Sequence, residues 1–405
     1  MQKNKNIPPL RFPEFSGEWE GKKLGEIADF FKGAGISKED VCENGKNKCI
    51  RYGELYTKYK EIINKINSKT NIEKSFLGKK NDVLIPSSGE TAIDIATSSC
   101  LRQDNVLLGG DLNVLRLKKD NDGIFLAYDL SNFQKRNIAR IAQGNPVVHL
   151  YSSSLKSLKI SWPLFQEQQK IAEFLRSVDK WIENLRSQKK SFEAYKKGMM
   201  QKIFSQKIRF KDDDGKKFLE WEEKKLGDIC DYKNGGSFEN NLVDNGKYNL
   251  INLNSIDITG KLKNNHKTVD YADWYLKKHD LVMVLSDVAH GYFLGLVDVI
   301  PENNKYVLNQ RMGLLRKKDD NVDLNFLRTY INKQQKYFKL HGQGSSQQNI
   351  SKGDILKFKV PVPTLLEQQK IAEFLTSISN LIESKQQQIT QAEKWKKGLM
   401  QGLFM

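Results

Sequence analysis

The sequence predicts an α+β fold with two α+β domains, related by a pseudo-two-fold axis and separated by two long antiparallel coiled-coil helices. Three observations carry this prediction. Much of the chain recurs about 200 residues later, strand-like segments fill the middle of each copy, and each copy ends on an uninterrupted heptad pattern. A period of this length is too long for a solenoid repeat and indicates a duplicated domain followed by a helix.

The repeat is clearest at the ends of the copies. Residues 167–175 and 367–375 both read EQQKIAEFL, KKGMMQKIF from residue 196 matches KKGLMQGLF from residue 396, and EWEGKKLGEI from residue 18 matches EWEEKKLGDI from residue 220. Residues 30–140 and 232–340 differ almost completely. We therefore expect the matching ends to serve a shared architecture, and the divergent middles to perform two versions of one task.

Each divergent middle alternates short apolar runs with polar turns, which is typical of strands. Strands are predicted within NDVLIPSS (81–88), DLNVLRLKK (111–119), HDLVMVLSD (279–287) and YVLNQRMGLLRKK (306–318). Helices are predicted at 125–142 and 325–340. The mixture favours an α+β domain with a mixed sheet. The glycine turns KGAG (32–35) and NGG (234–236) read as ordinary loops.

The tail of each copy has the apolar spacing of a long helix. From Ile171 the apolar positions alternate in steps of three and four through Phe174, Val178, Trp181 and Leu185, which is a heptad seam. A single helix over 167–204 would span about 57 Å at about 1.5 Å per residue. Gln188 and Gln388 both fall on a d-like position. We expect them to fix the register of two antiparallel helices.

Composition indicates a basic protein of the cytoplasm. The 405 residues carry 66 Lys and Arg against 49 Asp and Glu, a formal net charge of +17. No leader-like apolar region opens the sequence, no apolar run has the length of a membrane span, and the four cysteines form no C-x-x-C pair, so reduced thiols are expected. The charge favours a nucleic acid over an anionic membrane, although general solubility would also explain it.

Motifs that carry chemistry are absent from the sequence. It contains no G-x-x-x-x-G-K-[ST], H-E-x-x-H, G-x-S-x-G or G-x-G-x-x-G, and no [DNS]-P-P-[YFW] tetrapeptide of the kind that holds a flipped base. These absences argue against ATP hydrolysis, metalloprotease and esterase chemistry, and dinucleotide binding. No catalytic residue, no metal ligand and no bound cofactor is therefore predicted.

Polar loops precede the tail of each copy and are the first candidates for DNA binding. AQGNPVVHLYSSS starts at residue 142 and GQGSSQQNIS at residue 342. Gln and Asn can bond to adenine edges, while Ser suits phosphates. The candidates in these loops are Gln143, Asn145, Gln343, Ser345, Ser346, Gln347 and Gln348.

Weaker candidates lie in the divergent middles. They are Arg51, Tyr52, Ser87, Ser88 and Thr91 in the first copy, and Asn252, Asn254 and Ser286 in the second. Arg51 could read a guanine or bind a phosphate, but a role in a structural ion pair remains open.

The motif P-x-x-x-E-Q-Q-K-I-A-E-F-L begins at Pro163 and again at Pro363, and a segment containing K-K-L-G-[ED]-I opens each copy. In this combination the chain resembles, over essentially its whole length, the specificity subunit of type I restriction–modification systems. The resemblance implies two target-recognition domains, at 1–163 and 207–363, and two conserved spacer helices, at 164–206 and 364–405.

The resemblance also implies partners. Such a subunit is not catalytic, and each of its domains reads one half of a split site in double-stranded DNA. Two modification subunits, which methylate adenine N6 with S-adenosylmethionine, would dock on the exposed helix faces. Restriction subunits, which use ATP and Mg²⁺, would complete the complex. No membrane partner is implied.

Three alternatives stay open at this point. One is a related restriction system with other cleavage geometry, one is a coiled-coil scaffold that binds RNA or protein, and one is a fused or unfamiliar methyltransferase. Binding of S-adenosylmethionine by the chain alone would indicate the methyltransferase.

The helices are expected to set the gap between the two half-sites, near one duplex turn of about 34–36 Å. Deleting one heptad from both tails should therefore change the preferred number of unread base pairs and leave the half-site sequences unchanged. Methylation of DNA libraries with variable gaps measures this. An unchanged gap would rule out the spacer role.

Overall fold

The computed structural model describes residues 6–288 and 292–405. The chain folds into two compact units. The first comprises Met1–Gln188 together with Lys385–Met405, and the second comprises Lys189–Ser384. Each unit therefore contains one α+β domain and a part of each long helix.

The first unit contains two larger sheets. Its five-stranded sheet has the order Ala28–Lys32, Leu112–Leu117, Val83–Pro86, Ser99–Leu101 and Ile62–Ile63. Its four-stranded sheet has the order Lys69–Thr70, Asn47–Ile50, Val106–Leu108 and Phe76–Gly78. Both sheets combine parallel and antiparallel neighbours, so the prediction of a mixed sheet is confirmed.

Short helices complete this domain at Leu24–Ile27, Tyr52–Thr57, Ala92–Ile95, Gly123–Tyr128, Lys135–Ile141 and Ser152–Lys156. The helix predicted at 125–142 is interrupted, because a π-helical turn at Asp129–Phe133 separates two shorter helices. Asp122 begins the first of them, since its carboxylate accepts a hydrogen bond from the Phe125 N–H at 2.8 Å, as an N-cap residue does.

The second unit repeats this plan with fewer strands. One sheet has the order Cys230–Asn234, Met312–Lys317, Leu281–Val284 and Val297–Val299, and the other Leu242–Val243, Lys267–Val269, Tyr248–Ile251 and Tyr306–Leu308. The helices are Leu226–Ile229, Leu324–Lys333, Gln335–His341 and Lys352–Lys357, with 3₁₀ turns at Glu239–Asn241 and Leu253–Ser255.

Each domain is closed by a two-stranded sheet that joins its beginning to its end. Glu20–Lys23 pairs antiparallel with Lys159–Trp162. In the second unit, Glu222–Lys225 pairs in the same way with Lys359–Val362. The two ends of each divergent segment are consequently held side by side.

An ion pair between an arginine and a buried aspartate recurs inside both domains. Asp82 accepts two hydrogen bonds from Arg116, at 3.0 and 2.8 Å, and Asp280 accepts two from Arg316, at 2.7 and 2.6 Å. Bidentate pairing of this kind fixes geometry as well as charge. Arg116 and Arg316, which lie 200 residues apart in the sequence, therefore make the same structural contact in the two domains.

Two long helices follow the domains, at Phe165–Phe204 and Leu365–Leu403. In the first unit, Arg186 on the first helix pairs with Glu393 on the second. In the second unit, Ile203 packs in one cluster with Ile371 and Leu375. Within each unit, the start of one helix thus meets the end of the other, as an antiparallel pair requires.

The predicted seam is only partly correct. Trp181 is 46% exposed while its neighbour Ile182 is 3% exposed, and Gln388 is exposed while Ile389 is buried. An α-helix has 3.6 residues per turn, so its buried face drifts away from a strict heptad pattern. The prediction that Gln388 lies on the seam is therefore wrong.

The repeated Glu-Gln pair of the EQQKIAEFL motif points inward. Glu167 accepts hydrogen bonds from Arg11 at 2.8 and 2.7 Å and from the Trp19 indole at 3.2 Å. Glu367 has the same partners in the second unit, Arg209 at 3.2 and 2.9 Å and Trp221 at 3.0 Å. This carboxylate ties the segment before each domain to the start of a long helix.

The neighbouring glutamine joins helix and domain. Gln168 accepts from the backbone N–H of Asp122 at 2.9 Å and donates to the Pro163 carbonyl at 2.8 Å. Gln368 makes the equivalent bonds to Asp323 and Pro363, both at 2.8 Å. Both glutamines are buried. The first Glu and Gln of the repeated EQQKIAEFL motif therefore make contacts within each unit that attach the long helix to the domain.

Two negative findings apply to residues 6–288 and 292–405. No helix in this part of the chain is long and apolar enough to cross a membrane. No group of His, Cys, Asp and Glu side chains there could hold a metal ion.

Candidate nucleic-acid interface

A pair of parallel strands positions the first candidate residues. Asn47–Ile50 runs parallel to Val106–Leu108, and the Gly109 N–H donates to the Ile50 carbonyl at 2.8 Å. The carboxyl ends of parallel strands are a common place for ligands, because two loops leave the sheet together there. Arg51 and Tyr52 therefore lie beside the loop 109–111.

Backbone hydrogen bonds bring three further loops to this place. Ala34 donates to Leu108 at 2.9 Å, Ser87 donates to Asp111 at 2.8 Å, and Leu150 donates to Ser87 at 3.0 Å. We call the resulting set the first loop cluster; its residues are 33–36, 51–52, 87–91, 109–111 and 143–149.

The second unit builds the same arrangement with different side chains. Asn309 donates to the Ile251 carbonyl at 2.9 Å, Gly236 to Leu308 at 2.8 Å, Leu285 to Arg311 at 3.0 Å, and Ile350 to Leu285 at 2.9 Å. The second loop cluster consists of residues 235–238, 252–254, 285–288, 309–311 and 343–349. The candidate Ser286 belongs to the segment LSDVAHG (285–291), whose last three residues lie outside the described residues.

Glycine is required at one equivalent position of each cluster. A Cβ atom on Gly33 would lie 2.0 Å from the carbonyl oxygen of Gly109, and a Cβ on Gly235 would lie 2.0 Å from that of Asn309. Any side chain would force these loops apart. The glycine turns that read as ordinary loops in the sequence thus belong to the clusters.

The predicted polar loops form small hairpins. Gln143 and His149 exchange two backbone hydrogen bonds, at 2.9 and 2.7 Å, and Gln343 and Asn349 exchange two, at 2.9 and 2.8 Å. Gly144 and Gly344 have φ of +114° and +111°, a region that side chains rarely adopt. These hairpins present a set of exposed polar residues: Gln143, Asn145, Gln343, Ser345 and Ser346.

Other predicted residues are buried and hold the loops. Ser87, Ser88 and Ser286 are all buried. Ser286 donates to the Asn349 side chain at 2.6 Å and accepts a hydrogen bond from Gln347. These serines therefore connect neighbouring loops of a cluster within the unit.

The remaining predicted residues belong to neither the exposed hairpin set nor the buried serines. Thr91 is exposed and caps a short helix by accepting from the Asp94 N–H at 3.1 Å. Asn252 accepts from the N–H of exposed Asn254 at 3.0 Å. Arg51, Gln347 and Gln348 are half-buried, and Tyr52 is exposed.

Tyrosines shape the cavity next to the first loop cluster. This cavity has a volume of about 870 Å³ and is lined in part by Tyr52, Tyr56 and Gly89. The Tyr56 hydroxyl donates to the Ser88 carbonyl at 2.8 Å, and burial raises the pKa of Tyr56. Tyr56 therefore remains a neutral hydrogen-bond donor that fixes the loop.

Exposed cations accompany both clusters. Lys32 ends the strand next to the Gly33 turn. In the second unit, Lys233 lies one residue before the end of the corresponding strand, and Arg311 lies in the loop 309–311. Each cluster also holds one buried polar atom without a hydrogen-bond partner, Arg51 Nε in the first and Asn309 Oδ1 in the second. Buried polar atoms without a partner are rare in folded proteins.

Sequence reasoning missed the loops 109–111 and 309–311. They contain Gly109, Gly110 and Asp111 in one copy and Asn309, Gln310 and Arg311 in the other. A usable signal existed, since each loop directly follows a short apolar strand of its copy. Assigning these loops to the clusters, however, requires knowledge of the parallel strand pairing, which joins residues almost 60 positions apart in the sequence.

Comparison with known proteins agrees with this architecture. The family model for the type I restriction modification DNA specificity domain matches residues 16–193 and again 219–394. The type I restriction enzyme MjaVIII specificity subunit of Methanocaldococcus jannaschii is 28% identical over 421 aligned residues, covering 98% of this chain and 93% of that protein. The putative type I restriction enzyme MjaX specificity subunit of the same organism is 26% identical and covers 98% and 95%.

Solved structures share the fold. The S subunit of a type I restriction–modification system from M. genitalium superimposes with a TM-score of 0.62 at 19% identity, covering 98% of this chain and 99% of that one. A chain from a structure of complex assembly in a type I R-M system gives a TM-score of 0.60 at 14% identity and covers 98% and 99%.

The duplicated α+β unit, with one loop cluster in each copy, defines a two-domain DNA-specificity protein. The chain belongs to the type I restriction modification DNA specificity family and carries the family's domain twice. The predictions of an α+β class and of a type I specificity subunit are thereby confirmed.

Proposed function

We propose that the two loop clusters read the two halves of one bipartite site in duplex DNA. The observation that carries this proposal is the pair of equivalent backbone hydrogen-bond networks, each ending at a parallel strand pair and each carrying different side chains. Because the two clusters share one backbone arrangement but present different side chains, they are suited to recognise two different half-sites. The basic net charge of +17 suits a polyanion.

Residues in and beside each loop cluster divide into three roles. The exposed amides Gln143, Asn145 and Gln343 contact base edges, where Gln and Asn can bond adenine bidentately. Lys32, Lys233 and Arg311 contact phosphates and give a salt-dependent affinity. The buried serines 87, 88 and 286 contact no base and keep the reading loops in place.

Partner subunits dock on the long helices. Trp395 contacts Phe174 and Trp181, each at a ring-centroid distance of 6.2 Å, and both tryptophans are exposed. The second unit has exposed Tyr195 and Leu381 at the equivalent positions. Apolar side chains on a surface mark interaction sites when they cluster. Their recurrence fits two copies of one partner, a modification subunit.

Exposed residues that are identical in both copies support the same docking face. Gln169 and Glu173 recur as Gln369 and Glu373, and all four are exposed. Within residues 6–288 and 292–405, none of these four side chains makes a hydrogen bond or an ion pair that would account for the identity. A partner that meets both copies would explain it.

The chemistry belongs to the partners in this proposal. S-adenosylmethionine binds the modification subunits, and ATP and Mg²⁺ bind the restriction subunits. The assembled complex acts on DNA in the cytoplasm. This chain contributes only recognition and assembly.

Methylome sequencing tests the proposal. Cells that carry this chain together with its modification subunit should acquire N6-methyladenine at one motif with two unlike halves and a fixed gap of unread bases. Cells with the modification subunit alone serve as the control and should lack this motif. A continuous motif, or methylation that does not depend on this chain, would contradict the proposal. Preferential binding of RNA over duplex DNA by the assembled complex would also contradict it.

A further inference from the structure

Two equivalent lysines, 200 residues apart, have different surroundings. In the first unit, Lys396 forms an ion pair with Asp179 at 2.7 Å and lies 3.9 Å from Glu61. Its ammonium group also lies over the Tyr128 ring, 5.2 Å from the centroid. The Tyr128 hydroxyl donates to Asp179 at 2.5 Å. The charge of Lys396 is therefore balanced within its own unit.

The second unit lacks this balance at Lys196. Ser379 takes the place of Asp179, and its hydroxyl donates to the Leu375 carbonyl at 2.8 Å. Across residues 6–288 and 292–405, no carboxylate forms an ion pair with Lys196. The eight remaining residues of the sequence include no Asp or Glu.

A second cation adds to the imbalance. Arg328 stands where the first unit has Ala127, counted from the equivalent helix caps Asp122 and Asp323. Burial lowers the pKa of Lys196, and the charge of Arg328 lowers it further. Arg328 itself bonds Asp298 at 2.9 Å and keeps 30% of its side chain exposed. Among the described residues, Arg328 is thus paired with a carboxylate while the neighbouring Lys196 is not, and both cations are partly open to solvent.

We propose that Lys196 and Arg328 form a binding site for a carboxylate side chain of the protein that docks on the second unit. The first unit supplies the equivalent carboxylate itself, as Asp179, which shows that the position suits a carboxylate. Lys196 follows the exposed Tyr195 on the long helix, so the site adjoins the proposed docking face. Neither cation belongs to a loop cluster, which favours a protein carboxylate over a DNA phosphate.

This inference rests on the proposed docking of two modification subunits. It adds that the two docking surfaces are unequal. An acidic side chain of the partner gains an ion pair with Lys196 at the second unit. At the first unit the equivalent Lys396 is already paired with Asp179, so the same side chain gains no new ion pair there. Two copies of one partner should then bind with different affinity and different salt dependence.

The first experiment uses the full chain alone, with acetate as the probe. Competitive labelling with acetic anhydride, read by mass spectrometry, reports the neutral fraction of each lysine. Sodium acetate should slow the labelling of Lys196 relative to sodium chloride at equal ionic strength, because a bound carboxylate stabilises the charged amine. Lys396 should not respond. Equal responses of the two lysines, or protection of Lys196 by duplex DNA, would overturn the proposal.

The second experiment titrates the purified modification subunit into the chain by calorimetry. K196M should weaken one of the two binding events about tenfold and leave the other unchanged. S379D, which installs the internal carboxylate, should have the same effect, whereas D179S should not weaken the second-unit event. Two unchanged events in both K196M and S379D would overturn the inference while docking stands. If the wild-type chain binds no modification subunit at all, the proposed docking is wrong. The acetate experiment would then still report, on its own, whether Lys196 binds a carboxylate.

Discussion

Alanine at both Gln143 and Asn145 is expected to reduce recognition of one half-site about a hundredfold and to leave the other half-site unaffected. Both side chains are exposed on the hairpin of the first loop cluster. A good bidentate contact with a base contributes roughly 1–3 kcal/mol of discrimination, so losing two should cost about 3 kcal/mol. The measurement is the methylation rate on DNA libraries that are randomised in one half-site at a time.

Matched variants make this result specific. Alanine at Gln343 and Ser345, the corresponding exposed positions of the second unit, should change only the opposite half-site. Alanine at Asn184, an exposed residue of the first long helix that is serine in the second copy, should change neither. If the first double variant altered both half-sites equally, the assignment of one cluster to each half would be wrong.

Replacing Glu367 by alanine should be the most destabilising single change among those considered. This fully buried carboxylate accepts hydrogen bonds from Arg209 at 3.2 and 2.9 Å and from Trp221 at 3.0 Å. Alanine removes the buried partner of Arg209 and the acceptor of the Trp221 indole, and breaking a buried ion pair costs about 3–5 kcal/mol. Thermal unfolding followed by calorimetry should show the second unit melting at a lower temperature.

The same arginine supplies the control for this change. Glu220 also pairs with Arg209, at 3.1 Å, but is 89% exposed, and exposed pairs contribute about 0–1 kcal/mol. Alanine at Glu220 should therefore leave the unfolding temperature nearly unchanged. Alanine at Glu167, the equivalent residue in the first unit, should destabilise that unit instead. Equal losses for Glu220 and Glu367 would refute the role assigned to burial.

The sequence was sufficient to predict the duplication, the helical tails and the mixture of strands and helices. These features depend on local periodicity and on comparison of the chain with itself. It was insufficient at Trp181, where the heptad pattern predicted burial and the helix instead buries Ile182. The one-residue difference arises because the actual helical period determines which neighbour faces the core.

The candidate site was predictable only where its residues follow each other in the chain. The hairpins around Gln143 and Gln343 stood out as polar loops at equivalent places. The loops 109–111 and 309–311 could not be assigned, since they join the clusters through parallel strands distant in sequence. The burial of Ser87, Ser88 and Ser286 likewise follows from neighbouring loops, which no local pattern reveals.

The short antiparallel sheets that close each domain have an evolutionary consequence. Glu20–Lys23 pairs with Lys159–Trp162, and Glu222–Lys225 pairs with Lys359–Val362. Each segment that diverges between the two copies therefore begins and ends at neighbouring places in the fold. A segment with adjacent ends can be transplanted without moving its host. Gene conversion between these two ends would therefore replace one whole DNA-reading domain in a single event. The complex would then recognise a new target, while the helices that bind the partners stay unchanged.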